Sequence, residues 1–267
     1  MAPRPGVSVA IATVATAVAG CNLLFSVDGY AGSPDAAGPP PDAAGPPPDG
    51  PSAPDASFCV DGAIFCDDFE RQDVQGPWDS VYVDGGTLAI VATPGTGQGL
   101  EAHIPAASGA AQATLTKGTT TVSSTASLQF LASLAMDPAP VGGLHATSLV
   151  LDSPSTGTTA TVFPYLQSDG VRVGMLVCAA QCAYTQSDAV PFASATWHTV
   201  SLALDLRPSP PTESLSLDGM LVMQVALQTD AGVPGPGLLT VLGGAPSADA
   251  PHGDFDLTID RLVVTGQ

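Results

Sequence analysis

The sequence predicts an all-β domain built from two packed antiparallel sheets, and three observations carry that prediction. Short runs of β-branched and other apolar residues follow one another between turn signals from Val81 to Val264. Several of these runs alternate apolar and polar residues with period two, the pattern of a strand with one buried face. Residues that favour solvent-facing helices are scarce, since Lys117 is the only lysine and Glu70, Glu101 and Glu213 are the only glutamates.

Three segments precede or form that domain. Residues 1–20 open with Arg4 and the free amine and continue as an apolar stretch from Val7 to Val18. This is the layout of an export signal and is short for a membrane-spanning helix. The run Val18-Ala19-Gly20-Cys21 that closes it resembles the lipobox of bacterial lipoproteins. The resemblance implies cleavage before Cys21, lipid on its thiol, anchoring to a membrane, and, with Asn22 next, delivery to the outer membrane or cell surface. Two acyl chains suffice for stable anchoring at roughly 0.8 kcal/mol per buried CH2. Residues 21–57 form a linker in which Asp35-Ala-Ala-Gly-Pro-Pro-Pro41 repeats as Asp42-Ala-Ala-Gly-Pro-Pro-Pro48. Proline triplets favour extended polyproline II at about 3.1 Å per residue, so this segment reads as a spacer.

Residues 58–267 are the domain. Its turn signals are Asp84-Gly85-Gly86, Pro94-Gly95-Thr96-Gly97, Val141-Gly142-Gly143, Asp152-Ser153-Pro154, Asp169-Gly170, Asp218-Gly219 and Gly243-Gly244. The β-type runs expected between them are Leu88–Ala92, Leu100–Ile104, Ser127–Leu134, His145–Leu151, Thr161–Gln167 and Val171–Cys178. Trp197–Leu206, Ser214–Leu217, Met220–Leu227, Leu238–Leu242 and Phe255–Val264 follow. In Trp197–Leu206 one parity holds His198, Val200, Leu202, Leu204 and Leu206, the other Thr199, Ser201, Ala203 and Asp205. Asp218-Gly219 between two such runs is a hairpin signal. In the last run Phe255, Leu257 and Ile259 share the buried parity, and Asp256, Thr258 and Asp260 the solvent side.

Charge narrows the partners. Six Lys+Arg against 25 Asp+Glu give a formal net charge of −19. Such a chain repels a phosphate backbone, which excludes nucleic acid as an expected partner. With Cys21 lipidated, Cys59, Cys66, Cys178 and Cys182 remain, an even number in an exported chain. Four cysteines allow three connectivities. Local pairing of Cys59 with Cys66 and Cys178 with Cys182 is the economical one, and a four-thiolate zinc site is the rival.

The residues Phe65-Cys66-Asp67-Asp68-Phe69-Glu70 followed by Trp78, the run Trp197-His198-x-Val200-x-Leu202 with its Asp218-Gly219 hairpin, and the terminal Phe255–Val264 together resemble concanavalin A-like lectin/glucanase domains, including the laminin G-like ones. The resemblance implies a jelly-roll sandwich with a face that binds extended glycans. It does not carry an activity. The Glu-x-Asp-x-x-Glu strand of the glucanases is absent, and a retaining hydrolase needs two carboxyls about 5–5.5 Å apart. Polysaccharide lyases of similar architecture need a Tyr/His set with basic residues. Tyr82, Tyr165, Tyr184, His103, His145, His198 and His252 are present, but one lysine grips an acidic polysaccharide poorly. No Gly-x-Ser-x-Gly elbow or His-Glu-x-x-His helix occurs either.

The expectation is therefore a non-catalytic, lectin-like lipoprotein with no catalytic residues. A structural or adhesive envelope protein is the alternative, ahead of a glycan-cleaving enzyme. Trp78 and Trp197 are the candidates for stacking on sugar rings, with burial as core anchors the competing role. Asp67, Asp68 and Glu70 near the first strand could share a calcium ion with Asp256 and Asp260 on the last, against the alternative of a solvated acidic face.

Overall fold

The computed structural model describes residues 59–94, 97–107, 109–136, 142–167 and 169–267. The export signal, Cys21 and the proline-rich linker lie outside the described residues. Among the described residues there is no helix. In chain order the strands are β1 (Ala63–Asp67), β2 (Ser80–Asp84), β3 (Thr87–Thr93), β4 (Gly97–Ile104), β5 (Ala111–Val122) and β6 (Thr125–Met136). Then come β7 (Leu144–His145), β8 (Ser148–Ser153), β9 (Thr158–Gln167), β10 (Gly170–Cys178) and β11 (Cys182–Gln186). The last five are β12 (His198–Asp205), β13 (Thr212–Leu217), β14 (Met220–Ala226), β15 (Gly237–Ala248) and β16 (Phe255–Gly266).

These strands make two antiparallel sheets of eight. The first runs β14-β13-β12-β6-β16-β4-β3, and β1 pairs with the later half of β16. The second runs β11-β10-β9-β7-β15-β5-β2, with β8 filling the same place as β7 between β9 and β15. Inward parity supplies the core. Leu128, Phe130 and Leu134 of β6, Val200, Leu202 and Leu204 of β12, and Phe255, Leu257 and Ile259 of β16 are buried. They share one core with Leu149 and Leu151 of β8, Val162 and Leu166 of β9, and Val171, Val173 and Met175 of β10. Each such side chain contributes about 1.5–3 kcal/mol when fully buried. The fold is an all-β, two-sheet antiparallel sandwich.

Several expected elements are adjusted by the structure. The run His145–Leu151 divides into β7 and β8 where its pairing with β9 shifts by one residue, from His145 opposite Tyr165 to Leu149 opposite Val162, while Ala146 still donates its N–H to the Pro164 carbonyl of β9 at 3.0 Å. Strands β1, β2, β5 and β11 have no counterpart among the expected runs. β5 is built mainly of Thr, Ala and Gly and carries no clear apolar alternation. Gly243-Gly244 is not a turn but lies inside β15. Gly244 has φ +86 and packs against the Ala113 carbonyl, while Gly243 leaves room for the Trp78 ring, which would lie 2.8 Å from an added Cβ. Asp260 is not on the solvent side. A bulge between Asp260 and Val263, with Arg261 at φ +50, shifts the phase of β16 and leaves Asp260 only 1% exposed.

At the start of the domain Cys59 is bonded to Cys66, with Cα atoms 5.9 Å apart. Cys178 is bonded to its cross-strand partner Cys182 at the β10–β11 turn, Cα atoms 4.0 Å apart. Gly243→Ala forces its methyl into the Trp78 ring, and overpacking of this kind costs ~1–3 kcal/mol. Denaturant unfolding followed by tryptophan fluorescence should show an earlier midpoint; an unchanged midpoint would contradict this packing.

Candidate functional site

Strand β9 is apolar at both parities, and that places a second aromatic layer outside the core. Val162 and Leu166 join the core cluster, so Phe163 and Tyr165 point from the opposite face of the second sheet. The cross-strand partners of Tyr165 are Arg172 on β10 and His145 on β7. Phe163 faces Gly174, whose lack of a side chain is required: an added Cβ would lie 2.2 Å from the phenyl ring. Gly143 does the same for Tyr165, where the distance would be 2.3 Å. Phe163 and Tyr165 are buried although they lie outside the core.

The rings order one another. His145 stacks on Phe163 with centroids 4.1 Å apart and planes within 13°. Tyr184 of β11 lies beyond Phe163, also within 13° of parallel, at 6.3 Å. The edge of Tyr165 meets His145 at 5.2 Å. Asp249, just after β15, receives the Tyr165 hydroxyl proton in a hydrogen bond, and His145 Nε2 stands 3.6 Å from its carboxylate. The Asp249 backbone N–H donates to the Gly143 carbonyl at 2.9 Å, which fixes the carboxylate over the cluster. Arg172 donates to both Asp169 oxygens, at 2.8 and 2.6 Å, and to Gln167, whose own amide reaches the Tyr165 hydroxyl at 3.3 Å.

The electrostatics follow from this packing. Burial would raise the Asp249 carboxyl, but the groups around it, His145 and Tyr165 above all, outweigh burial and hold it below the usual carboxylate range. Tyr165 is pushed well above the usual phenol value, by burial first and then by its bond to Asp249 and that group's charge. Tyr184 is pushed up to about 12 by burial and then by Asp249. Both tyrosines stay protonated in ordinary conditions and serve as donors. The arrangement offers a guanidinium, an imidazole, two phenols and a carboxylate on one open face, with Tyr184 46% exposed.

At the far edge of the same face Tyr82 of β2 stands opposite Thr114 and is 47% exposed. Six strand spacings separate it from Tyr184, roughly 29 Å along the sheet at about 4.8 Å each. The outer face of the first sheet differs. It presents Ser127, Thr212, Ser214 and Thr265, small hydroxyl residues, around a cavity that Asp205 and Arg207 border.

The residues singled out from the sequence fall into separate places. Trp78 is a core anchor, 3% exposed, its indole N–H bonded to Asp67 at 2.6 Å and its ring edge-on to Phe65 at 4.9 Å. Trp197 is half-buried beside β12, away from the tyrosine cluster. The five carboxylates proposed for calcium do not assemble. Asp67 is buried and taken by Arg71, Trp78 and the Phe69 N–H, while Glu70 accepts from the Gln98 N–H at 2.8 Å. Asp68 accepts from the Glu70 N–H at 3.1 Å, and Asp256 binds His103 at 2.6 Å. Asp260 accepts from the Arg261 N–H at 2.7 Å. Among the described residues no three His, Cys, Asp or Glu side chains are grouped to hold a metal. Of the histidines and tyrosines weighed for a lyase, the structure brings His145, Tyr165 and Tyr184 together, with His252, in the loop before β16, near enough to help hold the Asp249 carboxyl low; His103 and His198 belong to the first sheet. Sequence reasoning missed Arg172, Phe163 and Asp249. The available signal was β9 itself, where Phe163 and Tyr165 interleave with Val162 and Leu166 and imply that both faces are covered.

No family model matches the chain, and no curated protein matches its sequence. Solved structures do match its fold. An endo-β-1,4-glucuronan lyase from the fungus Trichoderma reesei superposes with TM-score 0.57 at 13% identity, over 77% of this chain and 96% of that one. A family 16 endo-glucanase from Bacteroides ovatus gives TM-score 0.52 at 10% identity, over 75% and 99%. A cellulose-induced protein gives 0.50 at 14%, over 76% and 97%. The chain therefore has the concanavalin A-like lectin/glucanase sandwich fold.

Replacing Asp249 by Asn removes the charge that helps hold both phenols protonated. Alkaline ultraviolet titration of Asp249→Asn should show tyrosine ionisation at lower pH than in the parent chain; coincident curves would contradict the assigned contact.

Proposed function

We propose that this domain captures an extended glycan across the outer face of the second sheet, without cleaving it, at the outer membrane or cell surface to which lipid on Cys21 anchors it. One observation carries the reading: a polar and aromatic cluster centred on Tyr165 shares a single sheet face with the two exposed tyrosines at its edges. Tyr184 supplies an apolar ring for a sugar face, and Arg172, His145 and Asp249 supply hydrogen-bonding groups for its hydroxyls. The fold's likeness to glucan- and glucuronan-acting proteins supports a carbohydrate ligand. Capture is preferred to hydrolysis because no second carboxylate accompanies Asp249 among its hydrogen-bonding or charge partners.

A second reading, elimination at a uronate, has its own observation in favour. His145, Tyr165 and Arg172 are cross-strand neighbours, so an imidazole, a phenol and a guanidinium converge. In such a reaction the guanidinium would neutralise the sugar carboxylate, the imidazole would take the neighbouring carbon-bound proton, and the phenol would protonate the leaving oxygen. Against it, Arg172 is already engaged by Asp169 and Gln167.

Affinity electrophoresis of the whole protein through gels containing a soluble β-glucan or a glucuronan separates these outcomes. Capture predicts retardation by at least one polymer, weakened about tenfold or more by Tyr184→Ala, a loss of ~1.4 kcal/mol or more. Ultraviolet absorbance from an unsaturated product on glucuronan would establish elimination instead. Migration unaffected by every polymer would overturn both.

A further inference from the structure

Glu213 is the one described residue that the fold buries as a carboxylic acid without giving it anything to bond. On β13 it occupies the inward parity shared by Leu215 and Leu217, between Leu204 of β12 and Val225 of β14. It is 1% exposed, and neither carboxyl oxygen has a hydrogen-bonding partner among the described residues. A leucine at this place would extend the apolar row; an orphaned buried carboxyl costs free energy instead. Glu213 is one of the residues around a cavity of about 170 Å³ between the β10–β11 edge of one sheet and the β13–β14 edge of the other, and its carboxyl oxygens lie just beneath the cavity's accessible surface. Val173, Val225 and Ala226 form apolar walls, and Thr185, Ser187 and Gln228 border it with polar groups.

We propose that this cavity is a binding site for a small organic cation, a primary ammonium or guanidinium head group, held by Glu213. The size suits a compact head, since a cavity of about 150 Å³ accommodates benzene. The chemistry suits N–H donors rather than a hard metal ion. Calcium requires six to eight oxygen ligands, and the cavity offers one carboxylate and a few neutral groups. An ammonium or guanidinium needs only the carboxylate's empty acceptor positions and a charge to neutralise.

Binding is coupled to a proton. Burial alone pushes the empty site's Glu213 carboxyl up to about 8. No charged group faces it from the strands around it. β12 contributes Leu204, β14 Val225, β10 Val173 and β11 Thr185, while Asp205, Arg172 and Tyr184 lie on the opposite faces of their strands. A cation therefore displaces the carboxyl proton at neutral pH and meets a carboxylate already formed in alkali. For the empty protein the sign is the reverse of an ion-paired acid. A raised folded value gives stability that is full below the unfolded carboxyl's range and is lost as pH rises through about 8.

Isothermal titration of the whole protein with methylguanidinium and propylammonium tests the site, with tetramethylammonium and calcium chloride as comparators. The expected result is saturable binding of the two N–H donors, at least tenfold weaker binding of the comparators, and heats that depend on buffer ionisation at neutral but not alkaline pH. Glu213→Gln, which removes the charge and keeps the shape, should abolish binding while raising the melting temperature in alkali. Val225→Phe, on the inward parity beside Glu213, narrows the cavity and keeps the carboxyl, and should weaken binding as well. Absence of binding by both N–H cations, equal binding of tetramethylammonium or calcium, or full affinity in Glu213→Gln would each overturn the proposal.

Discussion

The register of β9 between β10 and the β7–β8 segment is the constraint on which both core and site depend. Side chains alternate with period two, so one register decides which residues of β9 face the other sheet and which face solvent. In the observed register Val162 lies opposite Leu149 and Met175, and the core closes around it. The same register sets Phe163 against Gly174 and Tyr165 between Arg172 and His145. A slip of one residue would drive two large aromatic rings into the core and expose a row of aliphatic ones. The glycines at 143 and 174 reinforce the choice, because only they admit the rings where the register puts them.

Once that register is fixed, the polar groups follow from the strand order. β15 lies beside β7, and its end delivers Asp249 to Tyr165 across 84 positions of chain. His145 and Tyr165 then keep Asp249 a persistent acceptor against the effect of burial, while burial and Asp249 together keep the phenols persistent donors. The result is a rigid hydrogen-bonding surface with an exposed ring at its margin, the arrangement that sugar recognition exploits. The same sandwich tolerates a second device at its other end, where the edges of the sheets enclose Glu213.

Much of this was legible in the sequence, and the parts that were not share a cause. The alternation in β12 and the Asp218-Gly219 hairpin are local, and the hairpin forms with φ of +51 and +78 at its two turn residues. β5 was invisible because Thr, Ala and Gly show no apolar contrast, although its pairing with β15 and β2 makes it central to the second sheet. Asp260 was misplaced because a bulge shifts the phase within one strand. Trp78 went to the core because Asp67 satisfies its indole N–H there, a partnership set eleven residues away. The candidate site was the least legible: the Asp169-Gly170 turn signal sets Arg172 opposite Tyr165, but His145 and Asp249 reach them through pairings that no local pattern encodes. Glu213 had a local signal, its parity with Leu215 and Leu217.

The central claim is that the outer face of the second sheet receives the ligand. Amide hydrogen exchange of the whole protein, measured with and without a saturating glucan or glucuronan oligosaccharide, tests it most directly. The account predicts added protection in β9, β10 and β11 and around Asp249, with β6, β12 and β13 unchanged. Protection confined to the first sheet, or absent from both while the oligosaccharide is bound, would contradict it.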